Sequence, residues 1–183
     1  MKPIIAVAML VIAMPAYGAQ NLCAGLLPGD LAQALEQANP DYRLPKESDN
    51  LEEDIEYAVS QKQSACLGVA TADFDGDGQA DYLVAMPAKN ANRTLITVAL
   101  RKEAQWKLDA LDMWPNSKQR VFVTIEPAGR LERTKAIDGP TLERGEVLSI
   151  RCSHPFAVYG FTEANAVAYC RQANSWQHVW ISD

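Results

Sequence analysis

The chain reads as an α+β protein, with N-terminal helices followed by a mainly antiparallel β-sheet domain. Two changes of pattern carry that expectation. Up to Val59 the apolar residues recur at helical spacing, whereas from Cys66 onward short runs rich in Val, Ile, Tyr, Phe and Trp show a period of two. No helical segment separates those runs, so neighbouring strands are joined as antiparallel hairpins. Helices first and strands after is the α+β order.

The first helix is expected from Asp30, with Leu31, Ala34, Leu35 and Ala38 on one face and Gln33 placed to complete a capping box. Asn39-Pro40 ends it, because a residue before proline is pushed out of the α region. A second helix is expected near Ser48 or Asp49, with Leu51, Ile55, Ala58 and Val59 on one face. Its acidic first turns, Glu52, Glu53 and Asp54, suit the positive end of the helix dipole. Strands are expected over Leu67–Ala72, Tyr82–Met86, Thr94–Arg101, Ala104–Leu111, Val121–Glu126, Glu146–Arg151, Ala157–Thr162, Ala166–Arg171 and Gln177–Ile181. Lys89-Asn90, Pro115-Asn116, Asp138-Gly139-Pro140 and Ala173-Asn174 supply turns between them.

Residues 1–19 have the three parts of a secretory signal peptide: Lys2, the apolar run Ile4 to Met14, and the small-residue stretch Pro15 to Ala19. The run falls short of the roughly 20 residues that span a bilayer, so no membrane anchor is expected. Lipidation at Cys23 is not expected either, because Asn21 and Leu22 stand where small residues are needed. Removal of the leader leaves residues 20–183 as one domain in the periplasm, large enough to bury most of its unfolded surface.

The formal charge is -6, and loss of Lys2 takes it to -7. That balance argues against nucleic acid, which needs a basic footprint, and favours a cationic partner. Cys23, Cys66, Cys152 and Cys170 make an even count in an oxidising compartment, and so two disulfides. Three connectivities are open; chain order favours Cys23–Cys66 with Cys152–Cys170. No CxxC occurs and the histidines are His154 and His178, a poor donor set for zinc.

One segment carries strong chemistry. In Asp73-Phe74-Asp75-Gly76-Asp77-Gly78-Gln79-Ala80-Asp81 the acidic residues stand at relative positions 1, 3, 5 and 9, with Gly78 at position 6. A calcium ion takes six to eight oxygens, and this spacing lets one short loop turn alternate carboxylates inward. The ligands expected are Asp73, Asp75, Asp77 and Asp81, with the backbone carbonyl of Gln79. An EF-hand is excluded: position 12 is Val84 rather than glutamate, and Tyr82 to Met86 reads as a strand. Over Thr71 to Met86 the segment resembles the calcium loop of FG-GAP and VCBS-type repeats. That resemblance implies Ca²⁺ on the same five residues. It does not imply a propeller, because the loop occurs once. The stretch from Val158 to Asp183 looks like the ending of small periplasmic proteins with one such loop. Some proteins of that general shape are immunity proteins or inhibitors against peptidoglycan-degrading toxins.

Catalytic equipment is sparse. No Gly-x-Ser-x-Gly elbow occurs, and His154 and His178 read as turn or sheet-surface residues. Glu163 is the most interesting lone carboxylate. Trp106, Trp114, Trp176 and Trp180 offer either a carbohydrate platform or ordinary sheet packing. The leading expectation is a non-enzymatic calcium-binding protein directed against a basic cell-wall hydrolase, contacting it near Phe156 to Glu163. The alternatives are an envelope enzyme or accessory domain acting on glycan, and a structural calcium protein without a dedicated partner.

Overall fold

The computed structural model describes residues 21–117, 119–135, 141–162 and 164–182. The expected leader over residues 1–19, the expected Asp138-Gly139-Pro140 turn and Glu163 lie outside the described residues. The helices are α1 (Leu22–Leu26), α2 (Gly29–Ala38) and α3 (Glu52–Ser60), with a 3₁₀ turn over Glu47–Asp49. The strands are β1 (Val69–Ala72), β2 (Asp81–Pro87), β3 (Arg93–Lys102), β4 (Gln105–Pro115), β5 (Val121–Glu126), β6 (Gly129–Glu132), β7 (Ser149–Cys152), β8 (Phe156–Phe161), β9 (Asn165–Gln172) and β10 (Ser175–Ser182). The α+β order is therefore as expected, and no helix among the described residues is long and apolar enough to cross a membrane.

The strands form two four-stranded antiparallel sheets and a ribbon. The first sheet is the meander β1-β2-β3-β4; the second has the order β10-β9-β8-β5; β6 and β7 pair with each other. Side chains alternate across a strand, and here both faces of both sheets are covered. Leu83, Ala85, Ile96, Val98 and Leu100 on one side meet Val121, Val123, Ala157, Tyr159 and Tyr169 on the other, giving the core between the sheets. The opposite face of the first sheet, with Val84, Met86, Leu95 and Ala99, packs on Leu27, Leu31 and Leu35. The opposite face of the second sheet packs on Ile150 of the ribbon. This layering accounts for the unbroken burial along β3 and β8: a strand covered on both faces has no exposed side.

Cys23–Cys66 and Cys152–Cys170 are both disulfide-bonded, the pairing that chain order favours. The first ties α1 to the residues ahead of β1, and the second ties β7 to β9.

Several local expectations need correction. Asp30 does not cap α2: the N-cap is Pro28, with no side-chain cap bond. Asp30 Oδ2 instead accepts from Arg101 Nη1 at 2.7 Å and Trp106 Nε1 at 3.0 Å, a tertiary use that overrides the local one. Residues 48–51 join a 3₁₀ turn and an extended step, so the helix begins only at Glu52, and Val59 is exposed. The strand expected over Glu146–Arg151 is shorter, starting at Ser149; Glu146 forms only an isolated bridge to His178. Partner contact is expected from the sequence on strand-connecting loops near Phe156 to Glu163; of that stretch, Phe156–Phe161 is the expected strand itself, an inner one between β9 and β5 and almost wholly buried.

Candidate metal centre

The acidic loop joins β1 to β2, and the pairing of Ala72 with Asp81 pins its two ends. Phe74 anchors it from below, fully buried in the core between the sheets. The loop then turns on its own carboxylates. Asp73 Oδ1 accepts from the Gly76 N–H at 2.7 Å and the Asp77 N–H at 3.1 Å; Oδ2 accepts from the Gly78 N–H at 2.8 Å. Gly76 and Gly78 have φ of 76° and 83°, the left-handed region that only glycine enters without strain. These backbone conformations make the sharp reversal that gathers the carboxylates.

Asp81 is completely buried. Its oxygens accept from the Phe74 N–H at 2.9 Å and, across the sheet, from the Arg101 N–H at 2.8 Å. Burial pushes its pKa up to about 6, against those two hydrogen bonds, with the charges of Asp75 and Asp77 adding to the rise. The carboxylate thus sits in a field already negative.

Asp73, Asp75 and Asp81 each bring an oxygen within 4.8 Å of the others, the spacing at which one ion can touch all three. Asp77 is held differently: Oδ1 accepts from the Gln79 N–H at 2.9 Å, and Oδ2 from Gln79 Nε2 at 3.2 Å and Lys102 Nζ at 2.7 Å. That ammonium holds the Asp77 carboxyl below the usual carboxylate range. Lys102, at the end of β3, also pairs with Asp75 Oδ2. Its ammonium is the one cation that the described residues supply to this loop. Four carboxylates against one ammonium leave a surplus of negative charge at close range.

Asp75 tests whether a metal ion fits. Its side chain is only 7% exposed, and its Oδ1 is buried with no hydrogen-bond partner among the described residues. A carboxylate can only accept, so a buried oxygen without a donor carries a desolvation penalty that a hard cation removes. The donor set is all oxygen, which suits calcium or magnesium and not the softer metals.

The other candidates are not gathered here. Cys152, His154 and Cys170 do cluster, but the two sulfurs are joined to each other and offer no thiolate. His154 borders the loop: a Cβ on Gly76 would stand 3.5 Å from its Cδ2, so the loop lies against this second cluster. His178, expected on a sheet surface, is buried and stacked on Tyr169 at 4.9 Å, where burial lowers its pKa. Trp114, Trp176 and Trp180 pack against the core between the sheets, and Trp106 against the helical side. Trp114 and Trp180 touch, with ring centroids 5.8 Å apart, while Trp106 lies with the separate helical cluster, so the four are not gathered on one face.

Lys102 was missed in the sequence because it lies 25 residues from Asp77. A signal was nevertheless present. Pairing β2 with β3 in the observed register puts Tyr82 opposite Ala99, so the next residues of β3 must run alongside the loop. No protein-family model matches the chain, and no curated protein or solved structure is significantly similar to it.

Proposed function

We propose that this chain is an exported calcium-binding protein that acts by binding rather than by catalysis, its partner being a basic cell-wall hydrolase. The observation that carries the calcium reading is the convergence of Asp73, Asp75 and Asp81 around the partnerless buried oxygen of Asp75. Asp77 and the Gln79 carbonyl complete the ligand set by small movements of the same loop. Calcium supplies the positive charge that lets these carboxylates stay ionised together. Asp73 and the two glycines shape the loop, Asp81 fixes it to β3, and Phe74 fixes it to the core.

Two disulfides favour an oxidising compartment, and the N-terminal leader pattern adds support for the periplasm. The excess of acidic residues favours a basic partner, mainly by speeding encounter.

Two measurements test this reading. Thermal unfolding of the full chain in calcium and in chelator should differ, with a dissociation constant of about 10⁻⁴ to 10⁻³ M, as in extracellular modules. Asp75→Ala should abolish the difference; a wild-type curve indifferent to chelator rejects the calcium site. Affinity capture from periplasmic extract should retrieve a basic hydrolase with salt-sensitive association, and co-expression should rescue cells from it. Cleavage of peptidoglycan by the purified chain itself would reject the binding role.

A further inference from the structure

At the other end of the first sheet, away from the acidic loop, lies a cleft of about 470 Å³. The segment from Arg43 to Asn50 forms one wall, the β2–β3 hairpin another, and the residues leading into β5 the third. Each wall is stapled in place. The Arg43 N–H donates to Pro87 O at 3.0 Å, the Lys89 N–H to Asp41 O at 2.9 Å, and Asn50 Nδ2 to Val121 O at 2.8 Å. On the floor, a Cβ at Gly68 would lie 2.5 Å from Pro45 Cβ, so the wall segment sits directly on the sheet. The cleft is therefore preformed, as small-ligand sites are.

Its lining is short of carboxylates. Arg43, Lys89 and Arg93 face Asp49 as the sole carboxylate of the lining, and Asp49 is consumed by a two-point pair with Arg43. The Lys89 ammonium rests on a neutral carbonyl, Pro40 O, at 2.8 Å. The Arg93 guanidinium lies over the Tyr42 ring, 5.6 Å from its centroid, with no carboxylate in ion-pair range among the described residues. Its Nε is buried with no hydrogen-bond partner. Beside it, Thr94 Oγ1 and Ser117 Oγ share one hydrogen bond of 2.8 Å, and both residues are at most 5% exposed. Two hydroxyls carry two protons, and their mutual bond uses one. The second O–H is a buried donor for which the described residues provide no acceptor.

A chain of net charge -6 thus keeps two cations and two buried donors around one cleft, and among the described residues none of them has an anion. We propose that the cleft binds a small oxyanion-bearing ligand, a phosphate or a carboxylate, with Arg93 and Lys89 as its charged contacts and the Thr94–Ser117 hydroxyl pair as its neutral donor. The site is independent of the calcium loop. Arg93 contributes most, because a guanidinium stacked on a ring is already held in place and forms charge-assisted bonds.

Calorimetry on the full chain tests this in calcium-free buffer at constant ionic strength, with inorganic phosphate in one arm, acetate in a second and chloride as reference. Saturable binding of phosphate alone assigns a phosphate-bearing ligand; saturable binding of acetate assigns a carboxylate-bearing one. Arg93→Gln should weaken the binding at least tenfold. Lys89→Gln, an exposed position that does not threaten folding, should weaken it severalfold, while Lys107→Gln on β4 leaves it unchanged. Absence of saturable binding in both arms, or undiminished binding by both cleft variants, overturns the proposal.

Discussion

Replacing Lys102 by methionine removes the ammonium that bridges Asp75 and Asp77 and leaves the apolar part of the stem in place. If calcium enters among the same carboxylates, it must displace that ammonium, so the wild-type affinity contains the work of breaking the pairs. The Lys102 side chain is 41% exposed, so water screens the interaction heavily. The pair with the buried Asp75 is then worth about 1 kcal/mol, the upper end for exposed pairs, or roughly fivefold in a binding constant. Lys102→Met should accordingly bind calcium about fivefold more tightly than wild type by calorimetry. In chelator the same variant should melt roughly 2–4 °C lower, since about 1 kcal/mol shifts a domain of this size by that much. Calcium should bring the melting temperature back to or above that of wild type. Equal calcium affinity in the two proteins would show that Lys102 and the ion do not compete, and the shared-site argument would fall.

Three further outcomes are expected. Double Cys→Ala replacement should cost more for Cys23–Cys66, about 4 kcal/mol, than for Cys152–Cys170, about 3 kcal/mol. The closed loops span separations of 43 and 18 residues, and denaturant titration of the two variants reads the order. Burial holds the folded pKa of His178 below the 6.5 of a free histidine, although Glu146, Glu143 and Asp112 pull the other way. The unfolded chain therefore takes up the proton first, and this group's contribution to stability is lost as pH falls below 6.5 through the lowered folded value. His178→Gln should flatten that part of the stability–pH curve, and an unchanged slope in urea titrations would exclude the assignment. Gly160→Ala should destabilise by about 1–3 kcal/mol through overpacking. The added Cβ would stand 2.6 Å from Phe122 Cζ and 2.9 Å from Ala166 Cβ, and a neutral effect on the urea midpoint would mean the second sheet can open there.

The strands were legible where a period of two met turn residues, and most boundaries fall within two residues of their expected places. Two elements escaped. The five residues of α1 are too few to show a period, and its capping oxygen comes from Asn21. β6, Gly129-Arg130-Leu131-Glu132, has almost no apolar content and exists because β7 pairs with it. The division into two sheets was also hidden, because alternation tells which residues share a face but not which faces meet. For the metal centre, the carboxylates were readable from spacing alone. What spacing could not show is that Asp81 reaches Arg101 and that Lys102 reaches Asp75 and Asp77, contacts made only once β2 and β3 are in register.

Each disulfide joins cysteines that are consecutive along the chain, and each lies on one side of the boundary between the first sheet and the second. This has a bearing on how the chain matures. In a chain that emerges N-terminus first, Cys23 meets Cys66 with no other thiol to choose, and that pair can close before Cys152 appears. Cys170 then finds Cys152 as the sole remaining thiol. Oxidation in order of appearance would give the observed pairing without reshuffling by an isomerase. Neither bridge crosses between the sheets, so the docking of one against the other rests on noncovalent packing and stays reversible after both bonds have formed.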